Sequence, residues 1–540
     1  MSSSRSILRT LPRHQCLSSA SCRARALPAI AIAFASRSRP FTSTPPAARG
    51  LKKKNNGPEH DAYSVDNPTF RDLVGDAAAT RSPIKDFHKV PMVTAEMLKN
   101  EIQPPTNVKM LVRDFIDDSL YNPNYGYFSK QAVIFSPEQP FDFNRIKDDL
   151  DFQRVMGERY AEFESLVDED GLITQRQVWH TPTELFKPYY GEAIARYIVA
   201  QYKFEHYPYQ DLIIYEIGGG NGTLMMNILD YIRDQEPDVY ARTRYRIIEI
   251  SSQLAEQQSQ SLLTTTASVH GHDNCVEIIN KSIFDWDTDV GDPCFFVATE
   301  VFDNFAHDLI RYDLTTEKPV QGVVMIDSDG DFHELYQPVL DPLAKRYLDL
   351  RDKFAKRSYE KQHPLRRQPR FFRRLKNALP FSANLSEAEY IPTKLLLLID
   401  VLRKHFPEHH LIASDFSSLP DAIKGVNAPV VQTRYKGQMV PCSTYMVHQG
   451  YFDIFFPTNF EVFRDIYHGL TNSTGMFTPR NSLAGLGGGA TSKRVKVVNH
   501  REFVESWADL DATRTKSGDN PMSSFYQNFS MVIPSTGSIN

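Results

Sequence analysis

The chain has 540 residues, 41% of them hydrophobic and 24% charged, with a formal net charge of −5 and an isoelectric point near 6.4. That length allows one large core or two, and the near-balanced charge gives no general pull toward nucleic acid, so DNA is not an expected partner. No apolar run reaches the ~18 residues of a membrane helix, and the five cysteines form no CxxC pair or Cys/His cluster, so neither a metal nor a disulfide framework is expected.

In chain order, the first segment stands out. Residues 1–58 contain no Asp or Glu, while Arg5, Arg9, Arg13, Arg23, Arg25, Arg37, Arg39 and Arg49 lie among many serines. This is the composition of a mitochondrial transit peptide over 1–50, addressed to the matrix. The rival is a secretory signal built on the apolar run 26–35, but arginines flank that run on both sides. Residues 51–89 are polar and unpatterned and read as a flexible linker.

A helical region is expected over 90–205, with a charged insertion at 131–178. Thr94 is a candidate N-cap. A helix over 110–130 would carry Leu111, Phe115 and Leu120 on one face and stop at Pro123 and Gly126. A further helix is expected from about Tyr190 to Tyr202. Strands then alternate with helices across 206–475: strands at 211–217, 245–250, within 276–286, within 293–305, and at 410–416, the last preceded by an apolar helix over 392–406. This alternation predicts an α/β fold, a parallel sheet with helices on both faces. A long insertion occupies about 310–385 and begins with the strand-like runs "LIRYDL" and "QGVVMIDSDGDFHELYQPV". It ends in a basic stretch, Arg366, Arg367, Arg370, Arg373, Arg374 and Lys376, which fits a solvated face, a dock for an acidic partner, or an RNA or anionic-lipid contact. Residues 476–540 read as a C-terminal extension with a glycine-rich loop at 481–494.

"YEIGGGNGTLMMNIL" (215–229) reads as strand, glycine turn and helix. It is not a phosphate loop, because neither glycine cluster supplies GxxxxGK[ST]. It departs from the dinucleotide GxGxxG because Thr223 takes the sixth position counted from Gly218. What it fits is E-x-G-x-G-x-G: Glu216, Gly218, Gly220 and Gly222. S-adenosyl-L-methionine carries no phosphate; it needs backbone at close range, hence glycines, and carboxylates for its hydroxyls and positive groups. Glu249 ends the second strand 27 residues past Gly222, and Phe284 and Asp285 follow the third. Acids or aromatics thus mark the carboxyl ends of three consecutive strands, where open α/β sheets bind ligands. Another nucleotide, or a turn with no ligand, remains the alternative.

Four segments, "SLYNPNYGYFSK", "TPTELFKPYYGE", "YEIGGGNGTLMMNIL" and "ATEVFDNFAHDLI", with "GYFDIFFPTNFEVFRDI" downstream, follow one another in a recognisable order. In this order the chain resembles the mitochondrial protein-arginine methyltransferases that serve as respiratory complex I assembly factors. The resemblance spans about 110–470. It implies a Rossmann-like class I methyltransferase with a seven-stranded, mostly parallel sheet, S-adenosyl-L-methionine as cofactor, and an arginine of a protein, a complex I subunit, as acceptor. Thr299 replaces the family's Asn before Glu300, and Asn304–Phe305–Ala306 replace its A-L-P. An assembly chaperone that keeps the fold without the chemistry, or an RNA or small-molecule methyltransferase, are the rival readings.

The expected cofactor residues are Glu216, Gly218, Gly220, Asn221, Gly222, Glu249, Phe284 and Asp285. Phe284 is equally readable as a core residue. Glu300 and Asp303 are the candidate catalytic pair: a guanidinium stays protonated, and two carboxylates can grip its N–H groups and orient it. His307 is either a proton acceptor or a surface histidine. Thr181, Glu184, Gly191 and Glu192 are expected to close a substrate pocket, with simple helix capping as the alternative for Thr181.

Overall fold

The computed structural model describes residues 87–535 apart from 131, 170–176, 253, 257, 259–270, 367–382, 436–437 and 473–493. The expected transit peptide, nearly all of the linker, the basic stretch beyond Arg366 and the glycine-rich loop lie outside the described residues.

Seven strands form the central sheet: β1 Leu212–Ile217, β2 Thr243–Glu249, β3 Val276–Asn280, β4 Cys294–Thr299, β5 His409–Phe416, β6 Val495–Asn499 and β7 Phe529–Pro534. Their spatial order is β6-β7-β5-β4-β1-β2-β3. The pairs β1–β2, β2–β3, β1–β4 and β4–β5 are parallel, while β7 runs antiparallel to both β5 and β6. The chain moves outward from β1 through β2 to β3, then returns to lay β4 on the other side of β1. Such a reversal marks the place, at the carboxyl ends of β1 and β4, where open α/β sheets bind ligands.

The inner strands are near-continuous apolar runs because both faces are covered. On one face Ile214, Tyr245, Ile247, Val297 and Ile412 pack with helices Tyr189–Glu205 and Thr223–Gln235. On the other, Tyr215, Ile248, Phe296 and Leu411 pack with helices Thr393–His405 and Phe460–Thr471. Gly191 lets the first two helices approach: a Cβ there would lie 2.5 Å from Asn227 Cβ.

The structure refines four expectations. The sheet does not close at 475, because β6 and β7 come from the C-terminal extension, with helices His500–Trp507 and Pro521–Ser524 between them. The strand-like runs that open the 310–385 segment are strands, and they belong to a second sheet. Strands Val108–Leu111, Asp308–Tyr312, Pro319–Ile326, Phe332–Gln337 and Glu389–Ile391 make an antiparallel sheet, with Val108–Leu111 paired to Pro319–Ile326. The helix expected over 110–130 is therefore that strand followed by helix Val112–Tyr121. The 131–178 segment contains helix Asp149–Glu169, whose Phe152 packs on Phe141, Phe143, Phe186 and Phe525. No described helix is long and apolar enough to cross a membrane.

Candidate active site

The glycine turn leaves β1 with Gly218, Gly220 and Gly222 at φ of 67°, 51° and 79°. L side chains rarely adopt this left-handed backbone, so glycine is the residue that fits. Added Cβ atoms would meet Val301 at 3.3 Å from Gly218 and Ile134 at 2.8 Å from Gly220. The loop after β4 and the strand Ala132–Ile134 therefore hem the turn on two sides.

Glu184 braces this turn from beneath. One carboxylate oxygen accepts Asn221 Nδ2 at 3.0 Å and Thr223 Oγ1 at 2.7 Å; the other accepts Ser136 Oγ at 2.8 Å and Lys187 Nζ at 3.1 Å. Thr181 Oγ1 accepts the Glu184 N–H at 3.1 Å as the cap of helix Pro182–Leu185. Four donors occupy the Glu184 carboxylate, so its work is to fix the turn. Gly191 and Glu192 are not drawn into this group. Gly191 is a helix-packing residue, and Glu192 pairs with Arg196 at 3.3 Å.

Glu216 and Glu249 share one face of the sheet, because Glu216 stands opposite Ile247 and Glu249 lies two residues further along β2. Both are buried. Glu216 accepts the Tyr245 hydroxyl at 2.8 Å; burial and the nearby Glu249 push its carboxyl up to about 7. Burial also raises Glu249, against hydrogen bonds from the Ser251 N–H and Gln258 Nε2. Gln258 Nε2 donates to Gly220 O at 2.8 Å, and its Oε1 is buried without a partner among the described residues. Phe284 is half-buried against Phe305, with the Lys394 ammonium 4.5 Å from its ring centre. Asp285 is 54% exposed and 3.7 Å from Lys99.

At the tip of β4, Glu300 is a non-glycine residue with φ 56°. A left-handed backbone here costs about 1–3 kcal/mol and is the kind of strain that gathers at active sites. Burial and the carboxylates of Asp415 and Glu184 raise the Glu300 carboxyl well above its ordinary value. Asp303 is buried, and its Oδ1 has no hydrogen-bond partner among the described residues. Burial, then Asp415, Asp453 and Glu300, raise its carboxyl well above the ordinary range.

Two further acids complete the cluster. Asp415 on β5 uses Oδ2 to accept the N–H groups of Val301, Phe302 and Asp303 at 3.1, 2.8 and 3.1 Å, and burial pushes it up to about 7. Asp453 accepts Asn304 Nδ2 at 3.1 Å, and burial pushes it up to about 8. Tyrosines line the margin. The Tyr121 hydroxyl donates to Asn304 O at 3.2 Å and lies in the field of Asp303, Asp453 and Glu249. Tyr190 meets Ser414 Oγ at 3.2 Å and, with Tyr526, faces Glu300. His307 is buried rather than on the surface: its Nδ1 donates to Phe305 O at 2.7 Å, its ring stacks on Phe456, and burial lowers it to about 3.

Buried acids held above their ordinary values gain from a positively charged, donor-rich ligand, which stabilises their ionised forms. S-adenosyl-L-methionine is such a ligand, with its sulfonium, ammonium and ribose hydroxyls. The unpartnered oxygens of Gln258 and Asp303 are the acceptors such a ligand needs. The residues present fit it.

A family model described as "Putative S-adenosyl-L-methionine-dependent methyltransferase" matches residues 193–476, over half the chain. The chain belongs to this methyltransferase family. Its cofactor is S-adenosyl-L-methionine. Two relatives carry the name "Protein arginine methyltransferase NDUFAF7 homolog, mitochondrial". The one from Schizosaccharomyces pombe is 26% identical over 333 residues, 60% of this chain and 67% of its own. The one from Saccharomyces cerevisiae is 20% identical over 369 residues, 64% of this chain and 78% of its own. Among solved structures, a Burkholderia thailandensis protein bound to S-adenosyl-homocysteine covers 82% of this chain and 91% of its own at 14% identity and a TM-score of 0.47.

Sequence reasoning about this methyltransferase missed Asp415, Asp453, Gln258 and Tyr121 as members of the site. Asp453 and Tyr121 lie inside segments that carry the family resemblance, so a signal was present. Gln258 sits in a helical stretch rich in glutamine, where nothing distinguishes it from its neighbours.

Proposed function

We propose that this methyltransferase acts in the mitochondrial matrix on an arginine of a protein, a respiratory complex I subunit during assembly, and that its central sheet is a Rossmann-like class I core. The names of the two fungal relatives and the acid-free, arginine-rich first 58 residues support the address and the acceptor. The observation that carries the reading is Asp303 Oδ1, a buried and unpartnered carboxylate oxygen among Glu300, Asp415 and Asp453.

A guanidinium is planar and stays protonated, with a pKa above ~12. In this reading Glu300 and Asp303 accept its N–H groups and aim one nitrogen at the cofactor. Glu216, Glu249, Gln258 and the Gly218–Gly222 turn hold the cofactor, and Phe284 flanks its adenine. When bound, S-adenosyl-L-methionine supplies an electrophilic methyl group. Transfer of that methyl releases one proton from the guanidinium nitrogen. Asp303, its carboxyl raised well above the ordinary range by burial and its acidic neighbours, is the acceptor closest in character to that task. His307 is unsuited, because burial lowers it to about 3. Orientation by the carboxylate pair is the main catalytic contribution, since positioning alone can supply up to ~7–11 kcal/mol.

The test is incubation of the mature chain with matrix extract and S-adenosyl-L-methionine, with methylated peptides mapped by mass spectrometry. Methylarginine on a complex I subunit supports the reading. Methyl groups on RNA, or none with the cofactor still bound, would turn it to the RNA enzyme or to the assembly chaperone.

A further inference from the structure

Helix Tyr189–Glu205 ends at the opposite edge of the sheet from the acids. Its last residue is Glu205, and His206 caps it, the His206 N–H donating to Tyr202 O at 2.9 Å. His410 is the second residue of β5 and lies 204 positions away in sequence. The two imidazoles meet edge to edge, with Nε2 of His206 and Nε2 of His410 3.1 Å apart. Glu205 Oε2 lies 3.6 Å from His410 Nε2 and 3.9 Å from His206 Nε2.

We propose that Glu205, His206 and His410 form a binding site for a divalent transition-metal ion, zinc by its ligand chemistry, that clamps the end of this helix to β5. Three donors at the corners of a tetrahedron with bonds of ~2.0–2.2 Å stand roughly 3.3–3.5 Å apart. The three separations found here bracket that range. Two histidines and a carboxylate are a set that zinc accepts, and imidazole also suits nickel and copper. Glu205 is exposed and both histidines are half-buried, so water can complete the coordination. The Phe295 ring lies 5.1 Å from His410 at 28° and fixes that imidazole from the sheet side. The helix C-terminus adds carbonyl dipoles that favour a cation. Sequence spacing hides the site, because one ligand is two hundred residues from the other two.

The site stands apart from methyl transfer. His410 begins the strand on which Asp415 sits five residues later, roughly 16 Å along β5 at ~3.3 Å per residue. A metal here ties the helix to the sheet and does not touch the reaction.

The mature chain is stripped with EDTA, then titrated with ZnCl2 by calorimetry and, separately, with CoCl2 by visible absorbance. The expected result is saturable uptake of one equivalent and the intense bands of four-coordinate cobalt. His206→Ala and His410→Ala should each weaken zinc binding at least ~100-fold with S-adenosyl-L-methionine affinity unchanged, which also shows that the variants fold. Absence of saturable zinc uptake by the wild type, or uptake unaltered in both variants, overturns the proposal. If a variant fails to bind S-adenosyl-L-methionine, the wild-type cobalt spectrum decides: four-coordinate bands support the site and their absence rejects it.

Discussion

One oxygen of Asp415, on β5, accepts the backbone N–H of Asp303 at 3.1 Å together with those of Val301 and Phe302. A carboxylate on one strand thus sets the loop that carries both candidate catalytic acids on the next. Asp415→Asn should keep one acceptor but direct an amide donor into the pocket. The expected loss is about 1–3 kcal/mol of stability, from buried N–H groups left poorly paired. Turnover should fall while S-adenosyl-L-methionine affinity changes little. Urea denaturation and steady-state kinetics read the two effects separately.

Asp303→Asn and Glu300→Gln each remove a negative charge from the proposed guanidinium grip. Each should lower kcat by roughly 100- to 1,000-fold, the range seen when one electrostatic partner of a transition state is removed. Cofactor affinity measured by calorimetry should stay within a few-fold. A variant that retains full turnover removes that acid from the proposed pair.

Gly220 combines φ 51° with a Cβ position 2.8 Å from Ile134. Gly220→Ala should therefore weaken S-adenosyl-L-methionine binding by at least ~10-fold, from a backbone cost of roughly 1–2 kcal/mol and the clash. Adding Ile134→Ala removes only the clash, so recovery should be partial. Full recovery in the double variant would show that the left-handed backbone is not the constraint.

The acid cluster makes stability depend on pH with a definite sign. Ordinary values are 4.5 for Glu216 and 3.8 for Asp415 and Asp453; folding raises them to about 7, 7 and 8. The folded chain therefore holds protons that the unfolded chain has released. This contribution is fully present below the unfolded values, and it is lost as pH rises through the folded ones. Thermal unfolding should shift downward between about pH 4 and 8 on this account. A cationic ligand reverses the trend, so S-adenosyl-L-methionine should stabilise more at pH 8 than at pH 6. Calorimetry in buffers of different ionisation enthalpy should detect proton release on binding.

Much of the core was legible because β1 and β4 are nearly continuous apolar runs and β2, β3 and β5 each carry a shorter one. The glycine turn was legible because its spacing excludes two of the three ligands that use such turns. β6 and β7 were not, since they sit in the C-terminal tail beyond the segments where alternation was read, and β7 runs antiparallel to both of its neighbours. The antiparallel sheet across 308–391 was hidden because its first strand, Val108–Leu111, comes from two hundred residues upstream. Glu184 was picked out for its motif position, but its role was not readable. Ser136, Asn221 and Thr223 converge on it only in three dimensions. The same holds for Asp415, a strand residue whose partners lie more than a hundred positions away.

The cofactor is expected at the carboxyl ends of β1, β2 and β4. The most direct measurement is a crystal structure of this chain with S-adenosyl-homocysteine. Ligand density is expected with the ribose against Glu249 and the homocysteine against Gly218 to Gly220, its sulfur toward Glu300 and Asp303. Density elsewhere, or a ligand that leaves Glu249 and Gln258 untouched, would contradict this placement.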